Sequence, residues 1–334
     1  MHKKFAALVV SLFALASAAR ATEPQPITIC ALPFVSSAPL FIAQDKGYFA
    51  QQGLKAEIKI FHAAQPVAVG VAAGDCDFGV TGFTAGFFNL AGKGALKVIG
   101  AQSREQPGYH FVGFLVSNKA YNAGFHNIKQ LPGHTVGISQ IGSTFYYNVG
   151  MLADKFGWNL DSIHMKPLQS VPNMIAALKG GEVDIVFLPA HIVAALTKAK
   201  AGHLIGWVDD YTPWQLGGLF TSTKNIEQHA GEVRAFVRAY QKAATEYYAA
   251  FDQRDAKGER VFGDKAKALL PIIEKYTQSK PDAIYLGAPY IDPKGRLDVK
   301  DVYKQVAWYK KHGLVDQDVD PKKFLDLRFI KGQK

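Results

Sequence analysis

Polar and glycine-bearing turns recur in this chain directly after short apolar stretches: Phe34 to Ser37, Ala64-Gln65, Thr81-Gly82-Phe83, Ser139 to Thr144, Ser170, and Pro189 to His191. Each stands where a strand is expected to give way to a helix. The first turn of a helix leaves backbone N–H groups unpartnered, and the helix dipole is positive there, so such turns receive anions. Ser36, Ser37, Thr81, Ser139, Ser143 and Thr144 add hydroxyls, and Gln65 adds an amide. Gly142, two residues before Thr144, lets a ligand approach the backbone. An ordinary helix cap is the simplest role for any one of these residues. Their weight lies in convergence, because in open α/β lobes ligands sit outside the carboxyl ends of the strands. The chemistry on offer is capture of an anion.

Bond-breaking chemistry finds little footing. Ser139 to Thr144 lacks the G-x-x-x-x-G-K spacing of a phosphate-cradling loop, and Gly92 to Gly100 reads as a tight turn between helix and strand. The ten histidines show no H-x-H or H-E-x-x-H spacing, there is no C-x-x-C, and no G-x-S-x-G elbow occurs. No metal, cofactor or catalytic residue is therefore expected. His110 and His191 stand near the expected cleft as hydrogen-bonding residues. Rings gather in the same turns and connectors: Phe34, Phe83, Tyr109, Phe111, Phe145, Tyr146 and Trp214. They allow a ring-shaped ligand body beneath an anionic head.

The elements that position these turns repeat. Pro66-VAVGVAAG-Asp75 leads into Cys76-Asp77-Phe78-Gly79-Val80-Thr81-Gly82, and Pro172-NMIAALKGG-Glu182 leads into Val183-Asp184-Ile185-Val186-Phe187-Leu188-Pro189. Each is a short apolar helix opened by proline and closed by glycine, then an acidic turn and a buried strand. Asp77 and Asp184 occupy equivalent places, which predicts a shared turn-capping role. Alternating strands and helices on either side of each cassette predict an α/β chain with two lobes, each a mostly parallel sheet flanked by helices, and a ligand cleft between them. The first lobe takes 22–112 and 220–334, and the second takes 113–219. Phe111–Ser117 and Gly218–Thr223 are the expected crossings, Leu54–Phe61 an edge strand, and the helical tail from Ile226 is expected to pack on the first lobe.

Two cysteines occur, Cys30 and Cys76. If their strands are parallel neighbours, the sulfurs lie about three residues out of register, roughly 10 Å by the strand rise. That predicts two buried free thiols. Residues 1–21 read as an export signal: basic Lys3-Lys4, an apolar run from Phe5 to Ala16, and Ala19-Arg20-Ala21 as the cleavage site. The mature chain then begins near Thr22 in the periplasm. No other stretch approaches the ~20 apolar residues of a spanning helix. Removing Lys3, Lys4 and Arg20 lowers the formal charge from +10 to +7. The remaining lysines are scattered, so a solvated basic surface is expected rather than a nucleic-acid partner.

Ala38-PLFIAQDKGYFAQQGL-Lys55, the two acidic-turn cassettes, LPGHTVGISQIGSTFYY and VAWYKKHGLVD resemble the periplasmic substrate-binding proteins of ABC importers. The branch resembled binds alkanesulfonates, taurine, nitrate, aromatic acids and thiamine-pyrimidine precursors. The resemblance implies hinge closure on one ligand and a membrane permease as partner. It places Ser36, Ser37, Gln65, Thr81, Gly82, Phe83, Ser139 to Thr144 and Pro189 to His191 at cleft-lining positions. The CCCFC run of the pyrimidine-making enzyme in that family is absent, and no arginine stands in the main turns; Arg104 is the nearest. The expectation is a monomeric solute receptor for a small organic anion, preferably an aromatic carboxylate or sulfonate. The alternative is an exported enzyme, or a thiamine-pyrimidine-type binding or processing protein, using the same cleft.

Overall fold

The computed structural model describes residues 23–330 and 332–333; the expected export signal, residues 1–21, lies outside them. From the N-terminus the chain runs β1 (Gln25–Ala31), α1 (Ala38–Asp45), α2 (Tyr48–Gln51), β2 (Leu54–Ile60), α3 (Ala64–Ala73), β3 (Phe78–Gly82), α4 (Ala85–Gly92) and β4 (Leu96–Ala101). A short strand β5 (Arg104–Glu105) leads to β6 (Val112–Val116), α5 (Asn118–Asn122), β7 (Thr135–Ile138), α6 (Thr144–Phe156) and β8 (His164–Pro167). Then come α7 (Val171–Lys179), β9 (Ile185–Pro189), α8 (Ala190–Lys198), β10 (His203–Trp207), β11 (Trp214–Gln215) and β12 (Gly217–Ser222). Helices close the chain: α9 (Thr223–Gln228), α10 (Ala230–Phe251), α11 (Asp264–Thr277), α12 (Pro281–Leu286), α13 (Val299–Lys311) and α14 (Pro321–Phe324).

Two five-stranded sheets share one topology. The first is ordered β2-β1-β3-β12-β4, and the second, read in the matching direction, β8-β7-β9-β6-β10. In each, four strands run parallel and one, β12 or β6, runs against them. The repeat extends to single hydrogen bonds. Thr28 N–H donates to Asp77 Oδ2 at 2.7 Å while Asp77 N–H donates to the Thr28 carbonyl at 2.9 Å. Thr135 and Asp184 make the same reciprocal pair, both bonds at 2.9 Å.

Alternation along β1 assigns its two faces. Ile27, Ile29 and Ala31 join the apolar layer under α1, α10 and α11, whereas Cys30 joins the layer that continues toward the second sheet. The C-terminal helices pack on the first unit through α10 against α1 and α2. Helix α13 also reaches the second unit, where the Trp308 ring covers Gly150 of α6 and its indole donates to Asp154 at 2.9 Å.

Two expectations are corrected. Cys30 and Cys76 form a disulfide with Cα atoms 5.9 Å apart. The register does place Cys30 beside Gly79, three residues beyond Cys76. The chain before β3 is not extended, however: Asp75 and Cys76 N–H both turn back to the Gly70 carbonyl under α3. The rise per residue of a strand therefore does not apply. The expected crossings are likewise strands, β6 of the second sheet and β12 of the first. The chain passes between the sheets just before them, where β5 and β11 form a two-stranded antiparallel ribbon with Trp214 opposite Glu105.

Candidate functional site

The carboxyl ends of the parallel strands and the amino ends of the two antiparallel ones meet around a narrow cavity of about 30 Å³. Leu32 follows β1, His62 to Ala64 follow β2, and Thr81-Gly82 end β3. Gln102 follows β4, Ser139 follows β7, and Pro189 ends β9. Thr144 and Phe145 open α6, and Val171 opens α7. From the antiparallel strands come Phe111 and Val112 at the start of β6 and Leu216 just before β12, with Trp214 from the ribbon. Phe34 and Ser36 complete the wall. None of these residues is an aspartate, glutamate, lysine or arginine.

The polar atoms of the wall are few and specific. Thr81 Oγ1 and Gln102 Oε1 are buried without a protein partner. Gln102 Nε2 donates to Ser36 Oγ at 3.4 Å and to Ser37 Oγ at 3.3 Å, which leaves both serine protons to donate onward. Helix α3 begins at Ala64 with no side-chain cap, so its first N–H groups lie open at the cavity edge. A buried acceptor or hydroxyl is costly unless something pairs with it, and both Thr81 and Gln102 line the cavity.

The two units touch around the cavity. Val171 N–H donates to the His62 carbonyl at 3.4 Å, and Ala85 N–H donates to the Gly142 carbonyl at 2.9 Å. A Cβ on Gly142, whose φ is +76°, would stand 2.7 Å from the Ala85 Cβ, and one on Gly82 would stand 2.6 Å from Thr144 Cγ2. Both glycines permit this close approach.

Of the residues singled out in the sequence, Phe34, Ser36, Ala64, Thr81, Gly82, Phe111, Ser139, Thr144, Phe145, Pro189 and Trp214 line the cavity. Others do not. Ser37 stands behind Ser36 on Gln102. Gln65 is turned onto the Thr84 hydroxyl. Phe83 is in the core, packed on Phe87 and Phe88 at 5.0 and 5.5 Å. Gly142 is a contact between the units, and Ser143 caps α6 by accepting from Tyr146 N–H at 3.2 Å. His191 is buried behind Phe34, ring centroids 5.6 Å apart, with Nδ1 unpartnered, and burial pushes it down to about 3.

His110 stacks on Trp207 and pairs through Nδ1 with Asp209 at 2.9 Å. Together with Asp210 these form the group of metal-ligating types that converges among the described residues, which no spacing in the sequence announced. Asp209 is already engaged by His110 and by Gly108 N–H at 3.3 Å.

Gln102 and Leu216 were missed. Gln102 obeys the rule used for the other turns, since it follows a strand. Leu216 and Phe111 precede strands and Val112 begins one, and only the reversed direction of β12 and β6 brings strand beginnings to the cavity.

Comparisons with known proteins agree with this geometry. A family profile described as NMT1/THI5 like matches residues 35–253. Among solved structures, the ligand-binding component of an ABC-type import system from Staphylococcus aureus, with zinc bound, aligns at 19% identity and a TM-score of 0.71. The alignment covers 93% of this chain and 99% of that one. The alkanesulfonate-binding protein SsuA from Xanthomonas axonopodis pv. citri, bound to MOPS, gives 17% identity, 91% and 98% coverage, and a TM-score of 0.71. The desulfurization enzyme DSZB has the fold as well, at 12% identity, 91% and 97% coverage, and a TM-score of 0.58. Comparison with curated proteins finds no match. The fold is that of the periplasmic binding proteins of ABC import systems, and the chain belongs to the NMT1/THI5-like family.

Proposed function

We propose that this protein is an exported solute receptor that captures a small organic anion, an aromatic carboxylate or sulfonate by preference, and delivers it to an ABC permease of the inner membrane. The observation that carries this reading is the composition of the cavity wall. Phe34, Phe111, Phe145 and Trp214 supply rings for the ligand body. Thr81, Ser36, Ser139 and the open start of α3 supply neutral donors for an anionic head, while the Gln102 amide holds Ser36 Oγ as an acceptor so that its proton points onward. A site of this kind holds charge with oriented dipoles and needs no arginine. The sulfonate ligand of the SsuA relative has the same chemical class.

In this reading, residues 1–21 direct export, the mature chain begins near Thr22 and works as a monomer, and 22–112 with 220–334 and 113–219 are the two lobes that close on the ligand. The test is a thermal-shift screen against aromatic and aliphatic carboxylates and sulfonates, nitrate and thiamine-pyrimidine. A ligand at ~100 times its Kd adds about 2.7 kcal/mol to the folded state, which raises Tm by a few degrees. A shift confined to aromatic anions, with the compound recovered unchanged, supports the receptor. A shift by nitrate alone removes the preference for rings, and conversion of the compound removes the receptor.

A further inference from the structure

We infer that Glu105, which does not face the cavity, is the positioning residue of its wall: one carboxyl group fixes three of the residues that form it. The inference rests on the receptor reading for its consequence in binding, but its structural content stands apart from that reading. Glu105 lies on β5 in the ribbon between the sheets and is 1% exposed. Its Oε1 accepts from the backbone N–H of Phe111 at 3.2 Å and of Val112 at 2.8 Å. Its Oε2 accepts from the indole Nε1–H of Trp214 at 2.8 Å. Phe111, Val112 and Trp214 all line the cavity.

The three donors come from both passages of the chain between the sheets. Phe111-Val112 is where it arrives in the second sheet, and Trp214 is on β11, directly opposite Glu105 in the ribbon. Serving two backbone donors on one side and an indole on the other takes two acceptor oxygens at a fixed angle. Among uncharged or charged side chains only a carboxyl group offers that, and aspartate is one carbon shorter. Trp214 also touches the Tyr147 ring at 5.8 Å, so its plane is set by one hydrogen bond and by ring packing. The neighbouring loop is braced separately, by Asp209 on Gly108 N–H and His110.

Glu105→Gln and Glu105→Ala separate these bonds. In Glu105→Gln the amide oxygen still serves the two backbone donors, while its NH2 opposes the indole N–H. The expected result, by ¹⁵N NMR on the ligand-free protein, is a shifted Trp214 Nε1–H resonance (identified with Trp214→Phe), with Phe111 and Val112 amides keeping their exchange protection. In Glu105→Ala those two amides lose protection as well, while amides of α10 keep theirs. An unmoved indole in Glu105→Gln, or a uniform loss of protection along the Glu105→Ala chain, would overturn the inference.

The binding consequence is read with benzenesulfonate as the probe. Glu105→Gln is expected to weaken affinity about tenfold, and by less than twofold in a Trp214→Phe background. Equal losses in both backgrounds would show that Glu105 does not act through Trp214. Failure of the unmutated protein to bind any screened anion sinks the receptor reading alone, because the resonance and exchange results still decide the role of Glu105.

Discussion

Thr81 carries a hydroxyl that is buried, unpartnered and turned to the cavity wall, so its two roles can be separated. Thr81→Val keeps the shape and removes an unsatisfied polar atom. The expected outcome is an unchanged or slightly raised Tm with a five- to tenfold loss of ligand affinity, about 1 to 1.4 kcal/mol, read by calorimetry and titration on the same protein. Titrating residues act on the fold as a whole through their burial. Burial pushes Asp252 from 3.8 up to about 8, against Ile291 N–H, Arg260 and Arg254. Asp252 binds more protons folded than unfolded above about pH 4, so stability falls as pH rises toward 8. His191 runs the other way: held neutral down to about 3, it costs stability as pH falls through 6.5. Between pH 6.5 and 8 Asp252 outweighs His191. Tm should decline across that window in scanning calorimetry, and Asp252→Asn, which can still accept from Ile291 N–H, should flatten the decline.

At the scale of elements, the disulfide ties β1 to the turn between α3 and β3 and closes a 46-residue separation. Loop-closure entropy gives such a link about 4 kcal/mol. Reduction, or Cys30→Ser with Cys76→Ser, should therefore lower Tm by many degrees; a shift within error would mean that the turn under α3 holds the same geometry unaided. Helix α13 meets α6 where Gly150 leaves room for Trp308: a Cβ there would sit 1.9 Å from the indole ring. Gly150→Ala should cost about 1 to 3 kcal/mol by overpacking, measured by denaturant unfolding. Gly142→Ala tests a different contact, that between the units at Ala85. Its Cβ meets Ala85, and its φ of +76° suits glycine. Its effect on affinity should exceed its effect on Tm.

For the whole molecule, the sequence showed more of the architecture than of the walls. The two cassettes carried the duplication, down to the equivalent bonds of Asp77 and Asp184. The strand-to-helix turns pointed to much of the cavity lining, because parallel strands present their carboxyl ends on one edge of each sheet. Phe83 misled because it follows a strand as Thr81 does, yet its ring turns into the Phe87–Phe88 layer. Side-chain direction at a strand end depends on neighbours that are distant in sequence. The crossings misled for a related reason: β6 and β12 look like extended connectors, and only pairing partners 69 or more residues away identify them as sheet members.

What the amino-acid sequence determined by itself was periodic and local: the alternation of elements, their capping residues, the repeat, and the type of donor at each turn. These follow from hydrophobic spacing and from the backbone needs of helix starts. Only the tertiary structure decided the Cys30–Cys76 bond, the reversed strands that bring Phe111, Val112 and Leu216 to the cavity, and the link from Glu105 to Trp214 across 109 residues. Each depends on where the chain turns back on itself, and packing of one element against another sets that path.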